Sequence, residues 1–135
     1  MKKIVFVCTG NTCRSPMAEG YLKSKKDKGY EITSRGIAAD GSPVSQNSSI
    51  VMLEKGIDIT SHISAQMTYE DAENADLIVC MSSSHLDVLE GLGIDKLKCC
   101  VLGVPDPFGG DLDTYRRCRD NIFEAVDELV EDGVL

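Results

Sequence analysis

The chain has 135 residues, of which 42% are hydrophobic and 27% are charged, and its formal net charge at neutral pH is −8. This length suits one domain with a hydrophobic core and is too short for two, so we predict a single domain over residues 1–135. An acidic chain lacks the clustered basic face that nucleic acid binding requires, and no apolar run approaches the length of a membrane span. We therefore expect neither nucleic acid nor a membrane as a partner.

The N-terminal segment and the cysteines indicate where the protein works. Met1-Lys2-Lys3 leads straight into an apolar run that is shorter than a signal-peptide core and has no cleavage site after it, so we expect a cytoplasmic protein. With no CxxC pair and only two histidines, the chain is predicted to hold no disulfide framework, no metal and no cofactor. Four cysteines are interpreted as small buried apolar residues: Cys80, Cys99, Cys100 and Cys118.

Apolar runs and turn residues predict strands that alternate with helices. The predicted strands are residues 4–8, 30–34, 75–81 and 97–102. The predicted helices are residues 16–29, 44–55, 69–74, 84–91 and 112–130. The first begins at Pro16 and has a lysine-rich end that includes Lys26 and Lys28, and Thr68 and either Asp111 or Asp113 are expected to cap later helices.

This alternation predicts an α/β fold with three layers. Crossovers of this length favour a four-stranded parallel, doubly wound sheet with helices on both faces and a right-handed connection at each crossover. In such folds ligands bind at the carboxyl ends of the strands. Cys8 lies at the end of the first strand, so we expect the functional site there.

The segment from Cys8 to Ser15 joins that strand to the first helix and has the composition of an anion-binding loop. Backbone N–H groups of such a loop and the helix dipole both favour a bound anion. Gly10 permits a positive φ, and Asn11 tolerates one. The residues expected to surround a phosphoryl group are Thr9, Gly10, Asn11, Thr12, Cys13 and Ser15.

Cys8 and Arg14 add reactive chemistry to this loop. The forked guanidinium of Arg14 suits the oxygens of a phosphoryl group in its transition state. The same positive surroundings favour a thiolate on Cys8, which would attack phosphorus and form a phosphocysteine. Ser15, where the loop meets the helix, is placed to donate its hydroxyl to the thiolate.

Two motifs at opposite ends of the chain resemble the low-molecular-weight protein tyrosine phosphatase family. They are the sequence VCTGNTCRSPMAE at residues 7–19 and DPFGG at residues 106–110, and weaker likeness extends over nearly the whole length. The resemblance implies the family's flavodoxin-like fold, with Cys8 as nucleophile and Arg14 as phosphate clamp. It also implies that Asp106 acts first as general acid and then as the base that activates water.

The resemblance implies supporting roles for three further positions. Asn11 would keep the loop in shape through a hydrogen bond to Ser34, although Arg35 departs from the usual alanine beside it. Phe108 would border the bound substrate, and it stands where many eukaryotic members carry tyrosine. The implied partners are phosphorylated proteins, and nothing in the sequence points beyond a monomer.

Thr12 carries the prediction of which phosphoryl group is removed. Tyrosine-specific members usually have a branched aliphatic residue at this position, and threonine resembles the bacterial protein-arginine phosphatase branch. A phosphorylated guanidinium needs hydrogen-bond partners once it is desolvated, and Thr12 and Asp106 offer them. We predict hydrolysis of phosphoarginine, with phosphotyrosine as the alternative substrate.

Other functions remain open from the sequence alone. Related arsenate reductases use additional cysteines, and a non-catalytic phosphate-binding module would not need a thiol at position 8. Cys13, five residues after Cys8, suggests a reversible disulfide between the two, but it is equally compatible with a role in shaping the loop.

Overall fold

The computed structural model describes residues 2–25 and 29–135; the predicted helix end at Lys26 and Lys28 lies outside them. Its strands are β1 (Lys2–Cys8), β2 (Tyr30–Gly36), β3 (Leu77–Cys80) and β4 (Cys99–Val101). Its α-helices are α1 (Arg14–Lys25), α2 (Gln46–Leu53), α3 (Tyr69–Asn74), α4 (Ser83–Gly91) and α5 (Leu112–Glu131). A single 3₁₀ turn, Lys96–Lys98, precedes β4.

The four strands form one parallel sheet in the order β2-β1-β3-β4, which confirms the predicted α/β architecture. β1 lies between two other strands and is therefore apolar on both faces. Phe6 packs into one core cluster, and Val7 packs into the other. The chain reverses its direction of travel across the sheet between β1 and β3, so the carboxyl end of β1 lies at the switch point where such folds bind ligands.

Two apolar clusters lie on opposite sides of the sheet. The larger joins the sheet to α1, α2 and α5 through residues such as Met17, Met52 and Ile122. The smaller lies under α3 and α4 and includes Ala72 and Leu89. Helices therefore pack on both faces of the sheet and exclude water from each of them, so the predicted three layers are present.

Caps move several element boundaries away from the predicted ones. α1 begins at Arg14, two residues before Pro16. α2 begins at Gln46 because the Ser45 hydroxyl accepts the Ser48 N–H at 3.1 Å and fixes the start of the helix. The choice between two predicted caps for α5 falls on Asp111, whose carboxylate accepts the Thr114 N–H at 2.9 Å.

The third and fourth strands are shorter than predicted. β3 spans Leu77–Cys80 instead of residues 75–81. Asp95 accepts the Leu97 N–H at 2.9 Å and starts the 3₁₀ turn, so β4 begins only at Cys99. Cys99 and Cys100 are also partly exposed, which corrects the expectation that all four of these cysteines are buried.

Within residues 2–25 and 29–135, no helix has both the length and the apolar composition that crossing a membrane requires.

Candidate active site

The loop between β1 and α1 lies at the carboxyl edge of the sheet and rests on the end of β2. The Ile37 N–H donates to the carbonyl oxygen of Cys8 at 3.0 Å. A Cβ atom on Gly36 would lie 2.7 Å from the Thr9 carbonyl oxygen and 3.0 Å from the Asn11 nitrogen. Only a residue without a side chain therefore allows the loop to approach β2 this closely.

The left-handed backbone conformation in this loop falls on Asn11, with φ of 58°. It is the only non-glycine residue of the described chain with a positive φ. The sequence offered both Gly10 and Asn11 for such a conformation, and Gly10 is not among the glycines with positive φ. The reason is that hydrogen bonds hold the Asn11 side chain and peptide in place, and asparagine tolerates this region better than most residues.

Cys8 is buried at the bottom of the loop with two polar groups on its sulfur. The Ser15 hydroxyl oxygen is 2.9 Å from Sγ, and the Asn11 N–H donates to Sγ at 3.2 Å. The Asn11 amide also donates to the Ser15 oxygen at 2.8 Å, which leaves the Ser15 hydrogen free to point at the sulfur. Both groups are placed to donate hydrogen bonds to the sulfur.

Asn11 is fully buried and is bonded through each of its polar groups. Its Oδ1 accepts the Ala65 N–H at 2.9 Å, and its second amide hydrogen goes to the Ser34 hydroxyl at 3.0 Å. Ser34 in turn donates to the Glu19 carboxylate at 2.5 Å. His62 donates from Nε2 to the Asn11 carbonyl at 2.9 Å, since a carbonyl only accepts. The expected contact between Asn11 and Ser34 is thus present within a larger network.

Arg14 is held on both sides of its guanidinium fork. Nη1 donates to the Val104 carbonyl oxygen at 3.0 Å, and Nη2 donates to the Thr9 hydroxyl at 3.5 Å. Nη2 also lies 3.7 Å from Asp106 Oδ2. The Arg14 side chain is only 5% exposed, whereas that of Asp106 is 49% exposed. A buried cation therefore lies beneath a carboxylate at the mouth of the site.

Asp106 is oriented by its own loop. Its Oδ1 accepts the Phe108 N–H at 3.0 Å, which leaves Oδ2 facing Arg14. The bond spans two residues of a turn, as aspartate commonly does before proline. The carboxylate is consequently directed toward Arg14, while the side chain stays partly exposed to water.

His85, in the first turn of α4, also belongs to the site, although the sequence did not single it out. Its Nδ1 accepts the Ser82 N–H at 3.1 Å, so Nε2 carries the hydrogen and donates to the Thr9 hydroxyl at 3.0 Å. Burial, together with the nearby Arg14 cation, lowers the pKa of His85 to about 4, against the opposing effect of Asp106. The signal available in the sequence was its position just beyond the carboxyl end of a strand predicted to lie in the same sheet.

Two adjoining cavities open at this edge. The one over the loop has a volume of about 250 Å³, and the cleft beside it, lined also by Asp40 and Tyr115, has about 620 Å³. The structure brings eight of the predicted site residues together around the smaller cavity. They are Cys8, Thr9, Gly10, Thr12, Cys13, Arg14, Asp106 and Phe108.

The other three predicted residues lie behind the loop. Asn11, Ser15 and Ser34 are buried and do not line either cavity. The sequence predicts that Asn11 keeps the loop in shape and that Ser15 donates to the Cys8 sulfur, besides placing both near the phosphoryl group, and their side chains make the contacts of the first two roles. Their side chains are occupied with holding the loop and the sulfur.

Cys13 lines both cavities and has a partner that the sequence did not reveal. Its Sγ is 3.5 Å from the Tyr115 hydroxyl, on α5. Burial and the neighbouring Cys13 raise the pKa of Tyr115 to about 12, so its phenol stays protonated. Only the folding of α5 onto the loop brings a residue 102 positions away into this contact.

A buried cysteine, a clamped arginine and an aspartate over one anion loop define a class of phosphatase. Residues 3–133 match the sequence model of the family described as low molecular weight phosphotyrosine protein phosphatase. The chain belongs to this family.

The more specific likeness is to arginine phosphatases. The chain is 41% identical over 140 residues to a protein-arginine-phosphatase of Geobacillus stearothermophilus, covering 96% of this chain and 94% of that one. The solved YwlE arginine phosphatase of the same organism superposes with a TM-score of 0.91 at 38% identity, over 98% of this chain and 92% of that one. A YwlE mutant with a phosphorylated active site serine superposes with a TM-score of 0.89 at 33% identity, over 96% and 94% of the two chains.

Relatives with other names lie within the same range of identity. PtpB of Staphylococcus epidermidis, a low molecular weight protein-tyrosine-phosphatase, is 34% identical and matches over 94% of this chain and 96% of its own. An arsenate reductase of Bacillus cereus is 36% identical, over 98% and 96% respectively. Membership of the family therefore leaves the substrate to be argued from the site.

Proposed function

We propose that this chain hydrolyses phosphoarginine in proteins through a phosphocysteine on Cys8. The observation that carries the proposal is the wall of the cavity over the loop, where Thr12 and Asp106 supply polar atoms beside Cys8 and Arg14. A desolvated guanidinium needs such partners, whereas a phenyl ring does not. The likeness to named arginine phosphatases over almost the full length supports the same substrate.

In the first step the Cys8 thiolate attacks phosphorus while Arg14 and the loop N–H groups hold the phosphoryl oxygens. The S–P bond forms and the P–N bond breaks, with its electron pair going to the guanidinium nitrogen. Asp106, in its protonated form, gives that nitrogen a proton. Arginine leaves, and phosphocysteine remains.

In the second step the Asp106 carboxylate takes a proton from water, and the water oxygen attacks phosphorus. The S–P bond breaks, and its electron pair returns to Cys8 as thiolate. The Ser15 hydroxyl, 2.9 Å from that sulfur, stabilises the charge. Inorganic phosphate then leaves a site that is ready for another cycle.

The test compares two peptides of one sequence, phosphorylated on arginine or on tyrosine. We expect the higher kcat/KM with phosphoarginine, and Cys8→Ser is the inactive control for both. Thr12→Ile is expected to shift the ratio toward phosphotyrosine, because a branched aliphatic wall removes the polar partner. Comparable or faster turnover of phosphotyrosine by the wild type contradicts the proposal, and an unchanged ratio in Thr12→Ile removes Thr12 as its determinant.

Phosphotyrosine is the second candidate because Phe108 is 82% exposed at the mouth of the cavity. An exposed ring in this position is suited to stacking on a phenyl group. The paired peptide assay decides between the two substrates.

Arsenate reduction is less well supported, although some relatives carry that name. Cys80 lies in the core cluster on the opposite side of the sheet from Cys8 and is completely buried. Burial raises the pKa of Cys80 to about 12, which keeps it a thiol. A cysteine so placed is a poor partner for a disulfide with Cys8. Arsenate turnover that depends on Cys80 would overturn this argument.

We also propose a reversible disulfide between Cys8 and Cys13. Both residues line the loop cavity, and Cys13, five residues from the nucleophile, would serve as the resolving thiol. Peroxide should inactivate the wild type and Cys13→Ala alike, and thiol reductant should restore only the wild type. Equal recovery of both proteins rejects the disulfide.

We propose that the enzyme acts as a cytoplasmic monomer on phosphorylated proteins, without binding nucleic acid or membranes. The net charge of −8 disfavours polyanionic partners. Sedimentation at micromolar concentration tests the monomer, and fractionation of cells tests its location.

A further inference from the structure

His85 and Thr9 form a hydrogen-bonded pair that the proposed chemistry does not use. His85 is 1% exposed and comes from α4, whereas Thr9 belongs to the loop after β1. The Nε2 to Oγ1 distance is 3.0 Å. The pair thus joins a helix on one side of the sheet to the wall of the loop cavity.

The direction of this hydrogen bond is fixed by what His85 does on its other side. A backbone N–H can only donate, and the Ser82 N–H is directed at Nδ1 at 3.1 Å. Nδ1 must therefore be the bare nitrogen of a neutral ring, and Nε2 must carry the hydrogen. Burial beside Arg14 keeps the pKa of His85 low, so the ring stays neutral across the physiological range.

Thr9 Oγ1 consequently accepts on both of its lone-pair sites. His85 Nε2 donates to it at 3.0 Å, and Arg14 Nη2 donates to it at 3.5 Å. A hydroxyl that accepts twice has only its own hydrogen left, and this hydrogen must point away from both donors. Thr9 is exposed and lines the cavity over the loop, so the cavity is the open space into which this hydrogen can point.

We propose that His85 is a positioning residue that fixes the Thr9 hydroxyl as a hydrogen-bond donor to the phosphoryl group. The opposite tautomer would make Thr9 donate to His85 and turn its lone pairs toward the anion, which would be repulsive. The proposal rests on the proposed function, because it assigns a further donor to the same anion. Thr9 then adds to the loop N–H groups and Arg14 at an oxygen that gains charge in the transition state.

The decisive experiment is a double-mutant cycle of Thr9→Val and His85→Leu, read as kcat/KM on a phosphoarginine peptide. Removing a hydrogen bond to a charged group costs about tenfold or more, so each single variant should lose about that much. The double variant should lose no more than Thr9→Val alone, because His85 acts only through the hydroxyl. Thr9→Ser, which keeps the hydroxyl, is the matched variant and should recover most of the kcat/KM that Thr9→Val loses.

Two outcomes of the cycle overturn the inference. If His85→Leu lowers kcat/KM equally with and without the Thr9 hydroxyl, the histidine has only a general structural role. If Thr9→Val keeps the full kcat/KM, the hydroxyl is not a donor to the reacting group.

The ring nitrogens of His85 give a measurement that needs neither activity nor a folded His85 variant. Nitrogen-15 spectra of the wild type at pH 7 should show a bare Nδ1 and a protonated Nε2, and the reverse pattern overturns the inference. Inorganic phosphate binding to the wild type and to Thr9→Val gives a second measurement, in which Thr9→Val should bind less tightly and equal affinity counts against the donor. A wild type that turns over no phosphoryl compound would defeat the proposed function, while these two measurements still decide the inference.

Discussion

Asn11 determines the shape of the loop because it adopts a left-handed backbone conformation and also makes a set of buried hydrogen bonds. Its left-handed φ brings its N–H to the Cys8 sulfur, and its side chain joins Ser15 to Ser34. No other common residue offers both tolerance of this φ and an amide with two donors and an acceptor. Substitutions at this position therefore separate the two effects.

We expect Asn11→Ala to lower the free energy of unfolding by more than Asn11→Gly does. Both variants lose the amide bonds, but alanine alone also has to adopt a positive φ, which costs about 1–2 kcal/mol. The loss of buried partners common to both variants should amount to about 2–3 kcal/mol relative to the wild type. Urea unfolding of the three proteins measures both differences. Equal stability of the two variants would show that the loop relaxes out of this conformation.

Asp106 and Asp40 form a matched pair of exposed aspartates beside the two cavities. Asp106→Asn removes the proton donor and acceptor, so we expect kcat to fall by about 10²–10⁴ with little change in stability. Asp40 lines only the larger cleft, so Asp40→Asn should leave kcat near that of the wild type. Steady-state kinetics with the phosphoarginine peptide distinguishes them. A similar kcat for Asp106→Asn and the wild type would mean that another group handles the proton.

Residues whose chemistry is visible within a short motif were predictable from the sequence. The lining of the cavity over the loop consists of predicted residues, since Cys8 to Arg14 are neighbours in the chain and Asp106 lies in a recognisable turn. His85 and Tyr115 were not found because their roles depend on which helix packs over the loop. A lone histidine or tyrosine in a helix carries no motif that marks such a contact, and for His85 the position after a predicted strand is the one available hint.

At the scale of elements, the loop is held from three sides. β2 supports it from below through Gly36, and the turn before α2 ties to it through the Ser45 N–H, which donates to the Thr12 carbonyl oxygen at 2.9 Å. α4 approaches from the opposite face of the sheet with His85. The start of each helix was harder to predict than its presence, because one capping side chain decides it, as Ser45 does for α2.

The buried His85 at the start of α4 predicts a loss of stability in mild acid. Its pKa is about 4 in the folded protein against 6.5 for the unperturbed side chain. Between these values the unfolded chain binds a proton that the folded protein does not. The neutral His85 therefore makes its full contribution to the free energy of unfolding above pH 6.5. This contribution is lost as the pH falls toward 4, and the loss amounts to about 3 kcal/mol at most.

Urea unfolding at pH 7 and pH 4.5 measures this loss. The wild type should lose more stability between the two values than His85→Gln, which has no titrating group at this position. Arg14 disfavours the charged ring and Asp106 favours it, so Asp106→Asn should increase the loss. The same pH dependence in wild type and His85→Gln would assign the loss to other groups.

At the scale of the whole molecule, the parallel sheet was predictable and the order of its strands was not. Apolar runs separated by helices imply parallel pairing. The order β2-β1-β3-β4, however, depends on which faces of the helices bury most surface, and that is a property of the assembled core. Parallel pairing alone was enough to place the site at the carboxyl end of β1, and the strand order agrees with that position.

The acidic surface should make turnover sensitive to salt. A net charge of −8 repels acidic phosphopeptides, and Asp40 is the only charged residue among those described that line the larger cleft. Raising the ionic strength from about 0.01 M to about 0.15 M should increase kcat/KM by a few-fold for a phosphoarginine peptide with acidic flanks and decrease it for one with basic flanks. Asp40→Asn should weaken the preference for basic flanks. Salt dependence of the same sign for both peptides would contradict this electrostatic account.

The loop approaches Gly36 so closely that a side chain at position 36 would displace the loop backbone that carries the catalytic residues. A single added methyl group would meet backbone atoms of Thr9 and Asn11, at 2.7 Å and 3.0 Å, and not a side chain that can rotate aside. Those atoms can yield only if the peptide moves, and the cysteine, its donors and the start of α1 are joined to that peptide. Gly36 therefore fixes the position of the loop backbone, and with it the position of the catalytic groups. It does so although it has no side chain with which to take part in the chemistry.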